Sequence, residues 1–165
     1  MSTFSFKVIQ NIPVGIDKAW DFFSNPANLQ SITPENIGFS IISKYHGGII
    51  YPGQLIEYKV RPLFGISLYW MTEITHVQQK KYFIDEQRFG PYSLWHHQHH
   101  FREINGGVEM TDIVHYRIPG GIAGNMLNAL YIQKKLENIF EYRFKKTEQI
   151  FGAWKTASLP GNPAK

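Results

Sequence analysis

The chain has 165 residues, of which 43% are hydrophobic and 18% charged; this size and composition are typical of one folded domain with one sizeable core, and they exclude an intrinsically disordered chain. The chain contains no cysteine, which excludes disulfides, thiolate nucleophiles and cysteine-ligated metal sites. Its formal net charge is +4, but the basic residues are scattered along the sequence, so we expect no nucleic-acid partner. Because no run of about 18 apolar residues occurs, we also expect no stable membrane insertion and a cytoplasmic location.

The first part of the chain predicts one strand followed by two short helices. Thr3–Ile12 alternates imperfectly between apolar and polar residues and stops at Pro13, as a strand would. In Asp17–Phe23 the apolar residues recur at helical spacing, which predicts a short helix. Pro26–Thr33 has two apolar residues three positions apart, which favours one or two further helical turns.

From Phe39 to Ile118 the sequence consists of strand-length segments separated by turns rich in Gly, Pro, Asn and Lys. The predicted strands are Phe39–Tyr45, Leu55–Arg61, Ser67–Val77, Tyr82–Arg88, Leu94–Glu103 and Val108–Arg117. Because consecutive strands joined by short links pair with their neighbours, these segments predict an antiparallel meander.

The last predicted element is a long helix from about Ala123 to Trp154. Its stripe includes Met126, Ala129, Ile132, Leu136, Ile139, Phe140, Arg143, Ile150 and Trp154. We therefore predict an α+β fold in which a seven-stranded, curved antiparallel sheet wraps around the long C-terminal helix, with two short helices after strand one and a cavity between sheet and helix. Residues 1–157 would form this single domain, and residues 158–165 a loose C-terminal tail.

Several local strings are distinctive. They are Ile12–Phe23 with the nearby Asn25–Leu29 and Ile32–Pro34, and two longer runs, Phe83–Phe101 and Gly106–Gly121. With the order of the elements, these strings resemble the helix-grip fold of the START and birch-pollen-allergen superfamily, also called SRPBCC. The two longer runs are similar to a bacterial subgroup described as ligand-binding or polyketide cyclase/dehydrase-like proteins. The resemblance extends over residues 4 to 154 and implies the fold, but it implies no defined catalytic set.

The most unusual string is the histidine cluster in the predicted strand Leu94–Glu103, which holds four of the seven histidines of the chain. Alternation along a strand separates the cluster into two faces. One face carries Trp95, His97, His99 and Phe101, and the other carries His96, Gln98, His100 and Arg102. Since aromatic residues flank the pair His97 and His99, we predict that their face points into the cavity.

The predicted strand Val108–Arg117 supplies the neighbouring candidates. Met110, Asp112, Val114 and Tyr116 share one of its faces. A buried Asp112 would require a histidine or arginine partner. Arg143 on the helix stripe is a candidate, although a surface position for its side chain is equally compatible with the sequence. The predicted ligand-binding residues are thus Trp95, His97, His99, Phe101, Met110, Asp112, Tyr116 and Arg143.

Three functions are compatible with such a cavity. The first is binding of a small, mostly apolar ligand such as a lipid, an aromatic or a polyketide-like compound. The alternative is a cyclase/dehydratase or isomerase in which His97 or His99 is the base, Asp112 orients it and Tyr116 is a hydrogen-bond donor. The third is a protein-interaction module. The two histidines with Asp112 or Asp85 could hold a metal, but buried hydrogen-bonded histidines explain the same pattern, so we expect no metal and no other cofactor.

Overall fold

The structure, a computed structural model, describes residues 2–43, 48–63 and 66–155. The predicted tail of residues 158–165 and the end of the predicted strand Phe39–Tyr45 lie outside the described residues. The N-terminal part consists of β1 (Phe4–Ile12), α1 (Ile16–Phe23) and two 3₁₀-helices (Pro26–Ile32 and Glu35–Ile37). The following strands are β2 (Ser40–Ile41), β3 (Leu55–Leu63), β4 (Ile66–Gln78), β5 (Tyr82–Phe89), β6 (Leu94–Ile104) and β7 (Gly107–Arg117).

The strands form one antiparallel sheet of seven strands in the order β1-β7-β6-β5-β4-β3-β2. The predicted meander is therefore confirmed, and β1 closes the sheet against β7. Register shifts interrupt the pairing of β3 with β4 and of β4 with β5. Such shifts bend strands and increase their twist.

The first helix packs against the sheet through Trp20 and Phe23, and the Phe23 ring lies 5.9 Å from that of Phe101. Trp20 is fully buried, and its ring meets Phe83 and Phe101 edge-on at centroid distances of 6.0 and 5.5 Å. β2 is shorter than the predicted strand. Among the described residues, Ser40 and Ile41 pair with β3, and the ring of the preceding Phe39 packs on Tyr58 at 4.9 Å.

The C-terminal helical segment consists of α2 (Gly121–Leu127), a π-helical stretch (Asn128–Ile132) and α3 (Gln133–Phe151), which follow one another without a break. It ends three residues before the predicted Trp154, because Gly152 adopts a positive φ of 95°. Its buried positions recur every fourth residue in the first part: Gly124, Asn128, Ile132, Leu136 and Phe140. An α-helix with 3.6 residues per turn drifts out of phase with that spacing, and the wider π turn compensates for the drift.

The predicted stripe is therefore wrong in its first turns, and it is also wrong at Ile150, which is 43% exposed while Thr147 is buried. Met126 is 60% exposed and Ala129 is also exposed, since the π turn brings Asn128 to the sheet in their place. The hydroxyl of Tyr116 in β7 donates a hydrogen bond of 2.8 Å to Asn128 Oδ1, and both side chains are buried. This bond ties the first half of the helical segment to the sheet.

We expect Tyr116→Phe to lower the free energy of unfolding by about 1–3 kcal/mol, because the buried Asn128 Oδ1 loses its donor. Chemical denaturation followed by circular dichroism measures this loss. Tyr51→Phe is the matched control: the side chain of Tyr51 is 52% exposed, and its variant should change stability by less than about 0.5 kcal/mol. Equal effects in the two variants would contradict a specific role for the hydrogen bond.

Candidate functional site

A cavity of about 210 Å³ lies between the concave face of the sheet and the helices. Most of its wall is apolar or aromatic, including Leu29, Ile56, Val60, Ile74, Phe83 and Ile139. These side chains come from the first 3₁₀-helix, β3, β4, β5 and α3, so the cavity depends on the whole fold and not on one loop. One part of the wall is charged. We call Asp85, His97, His99 and Arg143, which all line the cavity, the polar corner.

The register of three neighbouring strands assembles the polar corner. His97 and His99 alternate with outward residues of β6 and are 5% and 7% exposed. Across the sheet, Asp85 of β5 is the register partner of His97, and Asp112 of β7 is the register partner of His99. Both carboxylates therefore lie level with the histidines on the same face, one on each side of β6.

Each imidazole contacts both carboxylates. His97 Nε2 donates to Asp112 Oδ1 at 2.9 Å, and His97 Nδ1 lies 3.5 Å from Asp85 Oδ2. His99 Nε2 donates to Asp85 Oδ2 at 3.0 Å, and His99 Nδ1 lies 2.7 Å from Asp112 Oδ1, at an angle that makes no hydrogen bond. The two ring centroids are 3.8 Å apart. The result is a compact square of two imidazoles and two carboxylates.

The carboxylates of the square are held ionised. Burial alone would raise the pKa of Asp112, but the neighbouring charge on His99 and the contacts of both imidazoles lower it well below its ordinary value. The pKa of Asp85 is also lowered: the hydrogen bond from His99 and the charges of His97, His99 and Arg143 outweigh the effect of burial. Two negative charges therefore face the histidines.

The two histidines differ in basicity although they are adjacent. Burial and the charge on His99 lower the pKa of His97, and the contacts with Asp112 and Asp85 do not reverse this. For His99 burial acts in the same direction, but the charge of Asp112 and the contacts with both carboxylates outweigh it, so the pKa of His99 is raised. The square thus favours a protonated His99 beside a neutral His97, whose single ring proton lies on the nitrogen facing Asp112.

Arg143 reaches the polar corner from α3. Its guanidinium carbon lies 4.9 Å from the centre of the Phe140 ring, and its Nε is buried without a hydrogen-bond partner among the described residues. Burial lowers the pKa of Arg143, while the charges of Asp112 and Asp85 oppose this change. On the opposite wall, burial and the charge of Asp85 raise the pKa of Tyr58, so its hydroxyl keeps its proton.

The structure brings together some of the predicted site residues and separates others. Trp95, His97, His99, Met110 and Arg143 line the cavity. Three predicted residues do not line it: Phe101, Asp112 and Tyr116. The Phe101 ring packs on Trp20 at 5.5 Å, Asp112 contacts the two histidines, and the Tyr116 hydroxyl binds Asn128.

Other residues of the site were not selected from the sequence. From the sequence Asp85 is a candidate only as a metal carboxylate, although alternation places it on the same face as the inward Phe83. Trp70 and Thr72 line the cavity, joined by a hydrogen bond of 2.9 Å from the indole. Alternation alone does not show which face of this strand points inward. Phe22 and Phe23 from α1 also line the cavity.

No protein-family model matches the chain, and no curated protein matches its sequence. Solved structures do match. Ginseng major latex-like protein 151 from Panax ginseng is 13% identical, with a TM-score of 0.65 over 90% of this chain and 97% of that chain. Ara h 8.0201 is 15% identical, with a TM-score of 0.58 over 90% and 99%. Protein Ms6760 from Mycobacterium smegmatis is 13% identical, with a TM-score of 0.62 over 88% and 92%.

The chain has the helix-grip fold. This confirms the predicted fold class and the broad part of the resemblance found in the sequence. At identities of 10% to 15% the likeness concerns the fold alone, and membership of the bacterial polyketide cyclase/dehydrase-like subgroup stays a prediction. Among the described residues, no helix has both the length and the apolar character needed to cross a membrane.

We expect His99 to titrate above the ordinary histidine pKa and His97 below it in protein treated with a chelator. Nitrogen-15 NMR of the imidazole rings across a pH series measures both values. Asp112→Asn should lower the pKa of His99, because the variant removes the carboxylate charge that raises it. The assignment of charge within the square would be contradicted by a reversed order of titration, or by an unchanged His99 in the variant.

Proposed function

We propose that the protein binds a small, mostly apolar ligand in the cavity, with the polar end of the ligand at the polar corner. The observation that carries the proposal is the combination of an apolar interior space with a single charged part of its wall. A fully packed core would leave no such cavity, because protein interiors pack at the density of organic crystals. Pockets for small molecules, in contrast, are mostly apolar with a few placed polar groups.

The volume restricts the size of the ligand. At about 210 Å³ the cavity is smaller than the roughly 300–1,000 Å³ of pockets for drug-sized molecules. Aromatic side chains line part of the wall, and the rings of Trp70 and Trp95 meet edge-on at 5.3 Å. A compact apolar or aromatic body therefore fits the space better than a long chain.

Arg143 indicates the chemistry of the polar end. Its buried Nε has no hydrogen-bond partner among the described residues, and a buried donor without a partner costs about 1–3 kcal/mol. An acceptor group on the ligand, such as a carboxylate or carbonyl oxygen, would recover that cost. The proposed ligand is therefore an apolar body that carries one acceptor group.

Filling the cavity tests the proposal most directly. We expect Ile74→Trp to weaken binding of the fluorescent probe 1-anilinonaphthalene-8-sulfonate at least about tenfold, which corresponds to about 1.4 kcal/mol. Ile74 lines the cavity, whereas Ile9 is 49% exposed on β1, so Ile9→Trp is the matched control and should bind like the unmodified protein. Thermal unfolding checks that both variants fold. Equal probe affinity in the two folded variants would place the probe elsewhere and contradict the proposal.

A second variant tests the acceptor group. Arg143→Met should weaken binding of naphthalene-1-carboxylate about 10- to 100-fold, the range expected for a lost charge-assisted hydrogen bond of about 1.5–3 kcal/mol. Binding of the methyl ester should change much less. Arg102→Met is the control, because the Arg102 side chain is 68% exposed and pairs with Glu109. Parallel losses for acid and ester would mean that Arg143 supports the cavity wall and does not recognise charge.

Catalysis is the second candidate, supported by the unequal basicity of two adjacent histidines in the cavity wall. Groups whose environments separate their pKa values are typical of acid–base sites. On this proposal neutral His97, oriented by Asp112, would accept a proton from the ligand. A compound extracted from the purified protein provides the substrate to test. His97→Gln should abolish turnover while binding persists if His97 is the base, and should reduce binding alone if it only orients the ligand.

A further inference from the structure

We infer that Asp85, His97 and His99 form a binding site for a divalent first-row transition metal ion such as Zn²⁺. Each residue offers a ligand atom, and the three atoms lie within 4.8 Å of one another. This differs from the absence of a metal expected from the sequence. It also goes beyond the proposed function, because the three protein groups would hold the ion whether or not an organic ligand enters the cavity.

Two of the three spacings between the ligand atoms are close to what one ion requires. Asp85 Oδ2 lies 3.0 Å from His99 Nε2 and 3.5 Å from His97 Nδ1. Around a tetrahedral Zn²⁺ with bonds of about 2.0–2.1 Å, neighbouring ligand atoms are about 3.3 Å apart. Two of the three edges therefore match a bound ion to within a few tenths of an ångström. Two imidazoles and one carboxylate are also a donor set that first-row metals accept.

The second carboxylate distinguishes this arrangement from two simple histidine–aspartate pairs. Asp112 Oδ1 lies 2.9 Å from His97 Nε2 and 2.7 Å from His99 Nδ1. These are the ring nitrogens opposite to the two that face Asp85. A metal-binding histidine typically has its other nitrogen held by a carboxylate or carbonyl, which fixes the ring and its tautomer. Asp112 thus holds the His97 ring by a hydrogen bond and lies in close contact with the opposite nitrogen of the His99 ring, so that one nitrogen of each ring faces Asp85.

The surroundings suit an ion with one open position. Three protein ligands plus a water or substrate are typical of catalytic zinc sites, whereas structural sites have four protein ligands. Asp85, His97 and His99 all line the cavity, so a fourth ligand can approach from its interior. The two carboxylates offset the two charges of the ion. Arg143, also at the cavity wall, lies where an anionic fourth ligand would be stabilised.

The test uses the full chain treated with a chelator and then dialysed against Zn²⁺, with bound metal measured by mass spectrometry. We expect one Zn²⁺ per chain, and we expect Co²⁺ to give the visible absorption of a low-symmetry four- or five-coordinate site. His99→Gln and Asp85→Asn should lose this binding. The matched controls are His96→Gln and His100→Gln, which remove histidines from the other face of the same strand and should keep it.

Asp112→Asn separates orientation from ligation. Because Asp112 would act through the rings, the variant should keep a stoichiometry of one while its affinity falls about 10- to 100-fold. If a variant does not fold, ring NMR of the unmodified protein replaces it: Zn²⁺ should shift the ring nitrogens of His97 and His99 and leave those of His96 and His100 in place. No binding, or binding that depends on the outer histidines, would overturn the inference. Probe binding in metal-free protein tests the proposed function separately.

Discussion

The interior of the domain contains two ionised carboxylates, those of Asp85 and Asp112, and the structure depends on compensating their charges. An ionised carboxylate taken out of water without partners costs many kcal/mol, so it must be paired and hydrogen-bonded. Asp112 is 6% exposed, and Asp85 is its counterpart across β6. Their partners are two imidazoles that each contact both carboxylates. Removing any one member leaves the others buried without full compensation, so the square behaves as one unit.

The fold supplies the conditions for this unit. Antiparallel register fixes which residues of β5, β6 and β7 are level with each other, and alternation directs them to one face. The helical segment then closes over that face. Its π turn keeps a four-residue spacing of buried positions in phase, so that Asn128 meets Tyr116 near one end of the segment and Leu136 and Phe140 reach the cavity. Arg143 follows on α3 and adds a positive charge beside the carboxylates.

The predictable part of the site is the part governed by alternation. The period of two in β6 and β7 was enough to place His97, His99 and Asp112 on the inward face, and the turn residues were enough to define the meander. Which inward residues line the cavity was not predictable, because alternation does not distinguish a residue that lines a cavity from one that is covered by other side chains. Phe101 under Trp20 and Tyr116 bonded to Asn128 are residues of the second kind. The π turn has no simple sequence signal, so the sequence predicted Met126 on the buried stripe, whereas Asn128 is buried there.

A count of charges relates the ligand proposal to the metal site. Asp85, Asp112 and Arg143 sum to one negative charge, which a single proton on His99 balances, in agreement with the raised pKa of that ring. A divalent ion in place of the proton leaves one positive charge in a buried wall. Such a charge requires compensation, and an anionic acceptor group on a ligand in the open position would provide it. On these two proposals the ion would increase the affinity for an acid, and the acid would complete the coordination of the ion.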